Sequence, residues 1–130
     1  EAIEAKDCTR IINILNEVVH QLDYSSSRLN DEGAVREIVQ IFCAARSLPT
    51  RIEVHSPLGR SDLEVSTKHF EAVFEFKYAR KGRSVETLLE QAKDQIVQHD
   101  YGFASQGKSL IRIAIVFSEE KRKFVLADVV

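Results

Sequence analysis

The sequence predicts one α/β domain, a central mixed β-sheet flanked by helices, in the order helix, helix, three strands, helix, strand, strand. Three observations lead there. Apolar residues recur at helical spacing in three stretches, each longer than an ordinary strand. Between Arg51 and Tyr78 the pattern changes to short alternating segments cut by turn residues, which is how antiparallel strands read. A helix then separates the third strand from a nearly continuous apolar fourth, and a helical crossover of that kind joins parallel strands.

The first helix is expected from Thr9, as N-cap, to Leu22, with Ile11, Ile12, Leu15, Val18, Val19 and Leu22 on its apolar stripe. Tyr24 to Ser27 breaks that pattern and reads as a connector. The second helix begins near Asn30 or Asp31, either of which can cap it. Ala34, Val35, Ile38, Val39, Ile41, Phe42 and Ala45 form its buried face, and Pro49 lies just beyond its end. Arg51 to His55 alternates as a strand with Ile52 and Val54 on one side, and Ser56-Pro57-Leu58-Gly59 turns the chain. Asp62 to Ser66 and Phe70 to Tyr78 complete an antiparallel meander, joined by a turn at Thr67 to His69. After the basic turn Arg80 to Arg83, Ser84 caps a helix that runs to about Gln98, with Val85, Leu88, Leu89, Ala92, Ile96 and Val97 apolar. Asp100 to Gly107 is a loop, Ser109 to Phe117 a buried central strand, Ser118 to Lys123 a charged turn and Phe124 to Val130 the last strand.

Composition narrows the function. A net charge of −2 argues against a general nucleic-acid coat protein but leaves room for a local basic rim. No apolar run approaches the roughly 18 residues of a membrane span, and no charged-then-apolar leader opens the chain. Cys8 and Cys43 are far apart and form no CxxC, so neither a zinc site nor a disulfide framework is expected. They read as buried free thiols of a cytoplasmic protein. The chain has no methionine and is expected to be one domain cut from a longer protein, with residues 1–27 as helix and connector and 28–130 as the core. No Ser-His-Asp arrangement with a nucleophile elbow is present.

The chemistry concentrates between Gly59 and Lys77. Strand side chains alternate, so Val73, Glu75 and Lys77 share one face and Phe74, Phe76 and Tyr78 the other. The aromatic face suits a core. The other carries a carboxylate beside an ammonium, and a hairpin brings Asp62 across from Glu75. Two carboxylates and a lysine on one patch suit a divalent cation and an activated water.

An acidic residue followed by E-x-K on a strand resembles the PD-(D/E)XK nuclease superfamily. The match is Asp62, then Glu75-Phe76-Lys77. The surrounding runs EVHSPLGRSDLEV and FEAVFEFKYARKG resemble more narrowly the nuclease-like domain, formerly a domain of unknown function, at the C-terminal end of bacterial AAA-ATPase-like proteins. In that family an acidic residue opens the helix before the strands, matched by Glu32, with Glu37 as the alternative. E-V-H-T-x-x-G-R-x-D is matched from Glu53 to Asp62, with Ser56 in place of threonine. F-E-F-K is matched by Phe74 to Lys77, and a glutamine shortly before a tyrosine by Gln95 and Tyr101, with Gln91 second. The closing N-F-S and charged turn are similar to Ile111 to Lys121, with Val116 at the asparagine. Ser61 stands where the superfamily name has proline. The resemblance spans Asn30 to Val130. The ATPase portion is absent, since no GxxxxGK[ST] loop occurs.

The resemblance implies a restriction-endonuclease-like fold with an αβββαβ core and Mg²⁺- or Mn²⁺-dependent hydrolysis of phosphodiester bonds, with DNA as the expected substrate. It implies Asp62 and Glu75 as metal ligands with the Phe76 carbonyl, and Lys77 as the group that positions the attacking water. Glu32 would reach the metal or its water, and Gln95 would orient the lysine or a phosphate. Arg60, Arg80, Lys81 and Arg83 form the expected phosphate-binding rim. Expected partners are nucleic acid, an N-terminal AAA-ATPase-like portion of the same chain and a second copy in a homodimer, with no membrane. The alternative function is a catalytically silent nucleic-acid- or partner-binding regulatory module of an ATPase-like protein.

Overall fold

In the computed structural model eight elements follow in order: α1 (Cys8–Leu22), α2 (Glu32–Ala45), β1 (Thr50–Ser56), β2 (Gly59–Ser66), β3 (Phe70–Ala79), α3 (Val85–His99), β4 (Ser109–Ser118) and β5 (Lys123–Val129). Residues 3, 5–22, 31–56, 59–99 and 109–130 are described. The connector at 24–27, Pro57 and Leu58 of the first turn, and the loop at 100–107 with Tyr101 lie outside them.

The strands form one sheet in the spatial order β1-β2-β3-β4-β5. The first three pair antiparallel, β3 and β4 pair parallel, and β5 returns antiparallel along β4. The sheet is therefore mixed, and α3 is the crossover that makes β3 and β4 parallel. The β2–β3 turn is closed by Thr67, whose backbone N–H donates to the Phe70 carbonyl at 2.8 Å while its Oγ1 accepts the Phe70 N–H at 3.1 Å. The middle strand is β3, not β4. Since β4 still has a neighbour on each side, its long apolar run is satisfied in that position too.

Both faces of the sheet are covered. On one, Ile11, Leu15 and Val19 of α1 and Val35, Val39 and Cys43 of α2 pack on Phe74, Phe76, Ile113, Ile115 and Phe117. On the other, Ala92 and Ile96 of α3 meet Val73 and Ala114, and Leu88 meets Ala79 and Val116. Asn16 joins α1 to β5 by a two-way bond with the Phe124 backbone, donating at 2.9 Å and accepting at 2.8 Å. Lys93 of α3 reaches Asp128 of β5 at 2.8 Å.

Several details differ from the sequence expectations. Asp7, not Thr9, caps α1: its carboxylate accepts the Arg10 N–H at 3.1 Å, and the helix starts at Cys8, two residues earlier than a Thr9 cap implies. Of the two candidates for α2, Asp31 accepts the Ala34 N–H at 2.9 Å, and Asn30 lies outside the described residues. The buried stripe of α2 is narrower than its apolar residues suggest. Val35, Val39 and Cys43 repeat every four residues and take the sheet contact, which turns Ile41 outward at 60% exposure and leaves Ala45 exposed. Val97 of α3 is likewise exposed. Strand β2 begins three residues before Asp62, at Gly59, because Gly59 pairs back to Ser56 of β1. Both cysteines are free thiols, but only Cys43 is buried; Cys8 is half-exposed on the first turn of α1. No helix among the described residues is long and apolar enough to cross a membrane.

Candidate active site

The site is built where the two neighbours of β3 part company. Strand β4 stays hydrogen-bonded along β3 from Phe70 to Ala79. Strand β2 pairs with β3 from Leu63–Phe74 to Ser66–Glu71, while its beginning, from Gly59 to Ser61, pairs with β1. The sheet thus forks on the β2 side of β3. The same register carried one residue past Leu63–Phe74 sets the backbone of Asp62 opposite that of Glu75. The side chains of Asp62 and Arg60 lie outside what the structure describes.

Glu75 is 2% exposed, on the face that meets α3. Its neighbours there are Val73 along the strand and, across the register, Ala114, both fully buried. The small Ala114 and Ala92 side chains let α3 lie close to the sheet beside this carboxylate. The Oε1 atom of Glu75 is buried without a hydrogen-bond partner among the described residues, as is Oε2 of Glu71, although both residues have other partners. Two residues on, Lys77 is half-buried, and its Nζ donates to Oε1 of Gln95 at 3.1 Å. Gln95 flanks the buried Ala92–Ile96 stripe of α3, which aims its amide at the sheet; Gln91 faces solvent. The structure therefore joins β3 to α3 through a lysine and a glutamine eighteen residues apart in sequence.

Glu32 stands half-buried in the first turn of α2, in the layer on the other side of the sheet, and Glu37 is exposed. The ring of Phe76 is buried in the core below α1 and α2, while its peptide lies between Glu75 and Lys77. Arg80, Lys81 and Arg83 are exposed on the turn after β3, where Gly82 adopts a φ of 82° that favours glycine. Arg80 pairs with Glu119 at 3.6 Å and lies 5.3 Å from the Tyr78 ring centroid. The Tyr78 hydroxyl is pushed above its ordinary pKa by burial first and by the Glu119 carboxylate next.

Two further acids share the face of Glu75 and were not singled out from the sequence. Glu64 is 3% exposed and bonded to Arg51 at 2.7 Å. Glu71 is 2% exposed and accepts the Ser66 hydroxyl at 2.6 Å. Strand alternation is the signal for both, since Glu64 lies two residues from Asp62 and Glu71 four from Glu75.

Among the described residues no group of three or more His, Cys, Asp or Glu is placed to hold a metal ion. A Mg²⁺ site needs fewer protein ligands than that: one or two carboxylates, with waters and substrate oxygens completing the shell. The oxygen donors Glu75, Asp62 and the Phe76 carbonyl are of the hard kind such an ion takes. A family model described as the PD-(D/E)XK nuclease superfamily matches residues 30–126. Neither a curated protein nor a solved structure matches the chain.

Proposed function

The chain belongs to the PD-(D/E)XK nuclease superfamily, which implies a nuclease, and from that premise we propose that it hydrolyses DNA phosphodiester bonds with a divalent cation, Mg²⁺ or Mn²⁺, at the fork between β2 and β3. The observation that carries this reading is the pairing of a buried carboxylate, Glu75, with a lysine two residues on that is held by Gln95 across the layer. A cation held by Asp62, Glu75 and the Phe76 carbonyl supplies Lewis-acid polarisation of the phosphate when bound. The ammonium of Lys77 stands at the open end of the same face. There it orients the attacking water and meets the negative charge that grows on the phosphoryl oxygens. The water oxygen forms a bond to phosphorus as the bond to the leaving oxygen breaks, and the leaving oxygen takes up a proton. Gln95 keeps Lys77 in place between turnovers. Glu32, entering from the α2 layer, is assigned to the water or the cation.

The runs from Glu53 to Asp62 and from Phe74 to Lys77 support one further part of the reading: that the domain works at the C-terminal end of a bacterial AAA-ATPase-like protein. Calorimetric titration with Mn²⁺, parent beside Asp62→Ala, is the test. Binding in the parent that is lost in the variant, together with loss of cleavage of a DNA oligonucleotide, is the expected result. Equal cleavage by both proteins refutes the site.

A further inference from the structure

We propose that the β4–β5 turn, with Lys121, Arg122 and Lys123, joins the β3–α3 turn in one cationic edge that tracks the phosphate backbone of the nucleic acid away from the cleavage site. The occupant rests on the nuclease reading above; the edge itself rests on how the two turns are tied together.

Strands β3 and β4 are parallel and in register to their ends, with Ala79 beside Ser118, so both leave the sheet at the same edge. Both run into basic turns, Arg80-Lys81-Gly82-Arg83 and Lys121-Arg122-Lys123. With roughly 3.3 Å per residue and about 4.8 Å between strands, the Lys77 and Ser118 backbones are about 8 Å apart. The edge therefore starts beside the site lysine.

One acid locks the turns to each other. Glu119, on the β4–β5 turn, accepts the Lys81 N–H at 3.1 Å and pairs with Arg80 at 3.6 Å, and its own N–H donates to the Ala79 carbonyl at 2.8 Å. Arg122 is fixed as well: its Nη1 donates to the Tyr78 hydroxyl at 3.4 Å, and its backbone holds a φ of 54°, which a residue with a side chain adopts only under constraint. Two hollows flank the turn. One, of about 220 Å³, is lined by Arg80, Arg83 and Lys121; the other, of about 240 Å³, by Lys121, Arg122, Lys123 and His20 of α1. Lys121 lines both, so lysine and arginine side chains continue from the β3–α3 turn to a hollow that reaches α1. Against the six cations stand three acids, Glu86, Glu120 and Glu119, the last paired with Arg80, so the edge keeps a net positive charge. The exposed large apolar residues among those described, Ile41, Val97 and Val130, lie on α2, late in α3 and after β5. Among the described residues no apolar wedge accompanies the cations, which favours a polyphosphate backbone over a lipid surface.

The test is fluorescence anisotropy of labelled duplex and single-stranded oligonucleotides in EDTA, from 50 to 200 mM salt, with the parent and the double variant Lys121→Ala/Lys123→Ala. Arg122 is kept because of its bond to Tyr78. Both substituted side chains are exposed, so the melting temperature should match the parent. The slope of log K against log salt should shrink by about 1.8 for duplex, or about 1.4 for single strand, with affinity lost evenly across sequences. An unchanged slope overturns the proposal. So does a parent that binds no oligonucleotide at 50 mM salt, or one that binds phosphatidylserine vesicles instead. A parent that neither binds Mn²⁺ nor cuts, yet shows the slope change, refutes the nuclease reading and leaves the edge standing.

Discussion

The bond between Lys77 and Gln95 makes the sharpest prediction about catalysis. Removing its acceptor with Gln95→Ala leaves the charge, the strand and the carboxylates intact and frees one ammonium to wander. Hydrogen bonds to charged groups contribute about 1.5–3 kcal/mol net, and Lys77 is half-exposed, which argues for the low end, about 1–2 kcal/mol. If that energy holds the ammonium where the transition state needs it, the loss appears in turnover. At about 1.4 kcal/mol per tenfold, kcat should fall about 5- to 30-fold with KM little changed. The same loss lowers the melting temperature by only about 3–8 °C in a domain of this size, so the variant stays folded at assay temperature. Gln95→Glu keeps an acceptor at the same reach and should retain most of the parental kcat. The assay is single-turnover cleavage of an end-labelled DNA duplex in Mn²⁺, with thermal melts of each protein alongside. Parental kcat in Gln95→Ala, or a Gln95→Glu variant as slow as Gln95→Ala, would show that the bond is only structural.

Three other outcomes follow from the packing. Arg51→Ala leaves the buried Glu64 carboxylate without its 2.7 Å guanidinium. Because Arg51 is 59% exposed, the loss should be about 1–2 kcal/mol, read as a lower urea midpoint, and no change would mean that water serves Glu64 equally well. Ser84→Ala removes the oxygen that accepts the Thr87 N–H at 3.2 Å and should cost about 1 kcal/mol by the same measurement. Burial pushes the Cys43 thiol up to about 11 from 9.0. Its contribution to stability is therefore complete below pH 9 and is lost as pH climbs toward 11, about 2–3 kcal/mol in all. Urea midpoints between pH 9 and 11 should fall in the parent more than in Cys43→Val. At pH 8 a thiol reagent should reach Cys8 in the folded chain and Cys43 only on unfolding; two fast thiols would refute that burial.

The order of elements was legible because each rests on local chemistry. Period-two alternation marks β1 to β3, turn residues separate them, and a helix between two strands dictates their parallel pairing. What could not be read is what depends on how layers seat. The outward turn of Ile41 follows from which stripe of α2 the sheet takes, and nothing in the α2 sequence chooses that stripe. The site was legible in part for the same reason. Alternation placed Glu75 and Lys77 on one face, but the spacing between Lys77 and Gln95 carries no sign that the two touch; only the family resemblance pointed to that glutamine. The fork was invisible, because nothing in the β2 sequence says how far its pairing with β3 extends. Yet the fork is what reconciles the sequence with its energetics. A carboxylate 2% exposed on the middle strand, with helices packed over both faces, is costly unless polar groups or an ion reach it. Glu75 stands one residue past the last β2–β3 pair, Leu63–Phe74, with Lys77 beyond it on the same face. Glu71 is buried to the same 2% and also keeps one oxygen without a hydrogen bond among the described residues, yet it stands at a paired position, so burial alone does not mark the site; Glu75 differs in lying just past the last β2–β3 pair, two residues from a lysine held by Gln95.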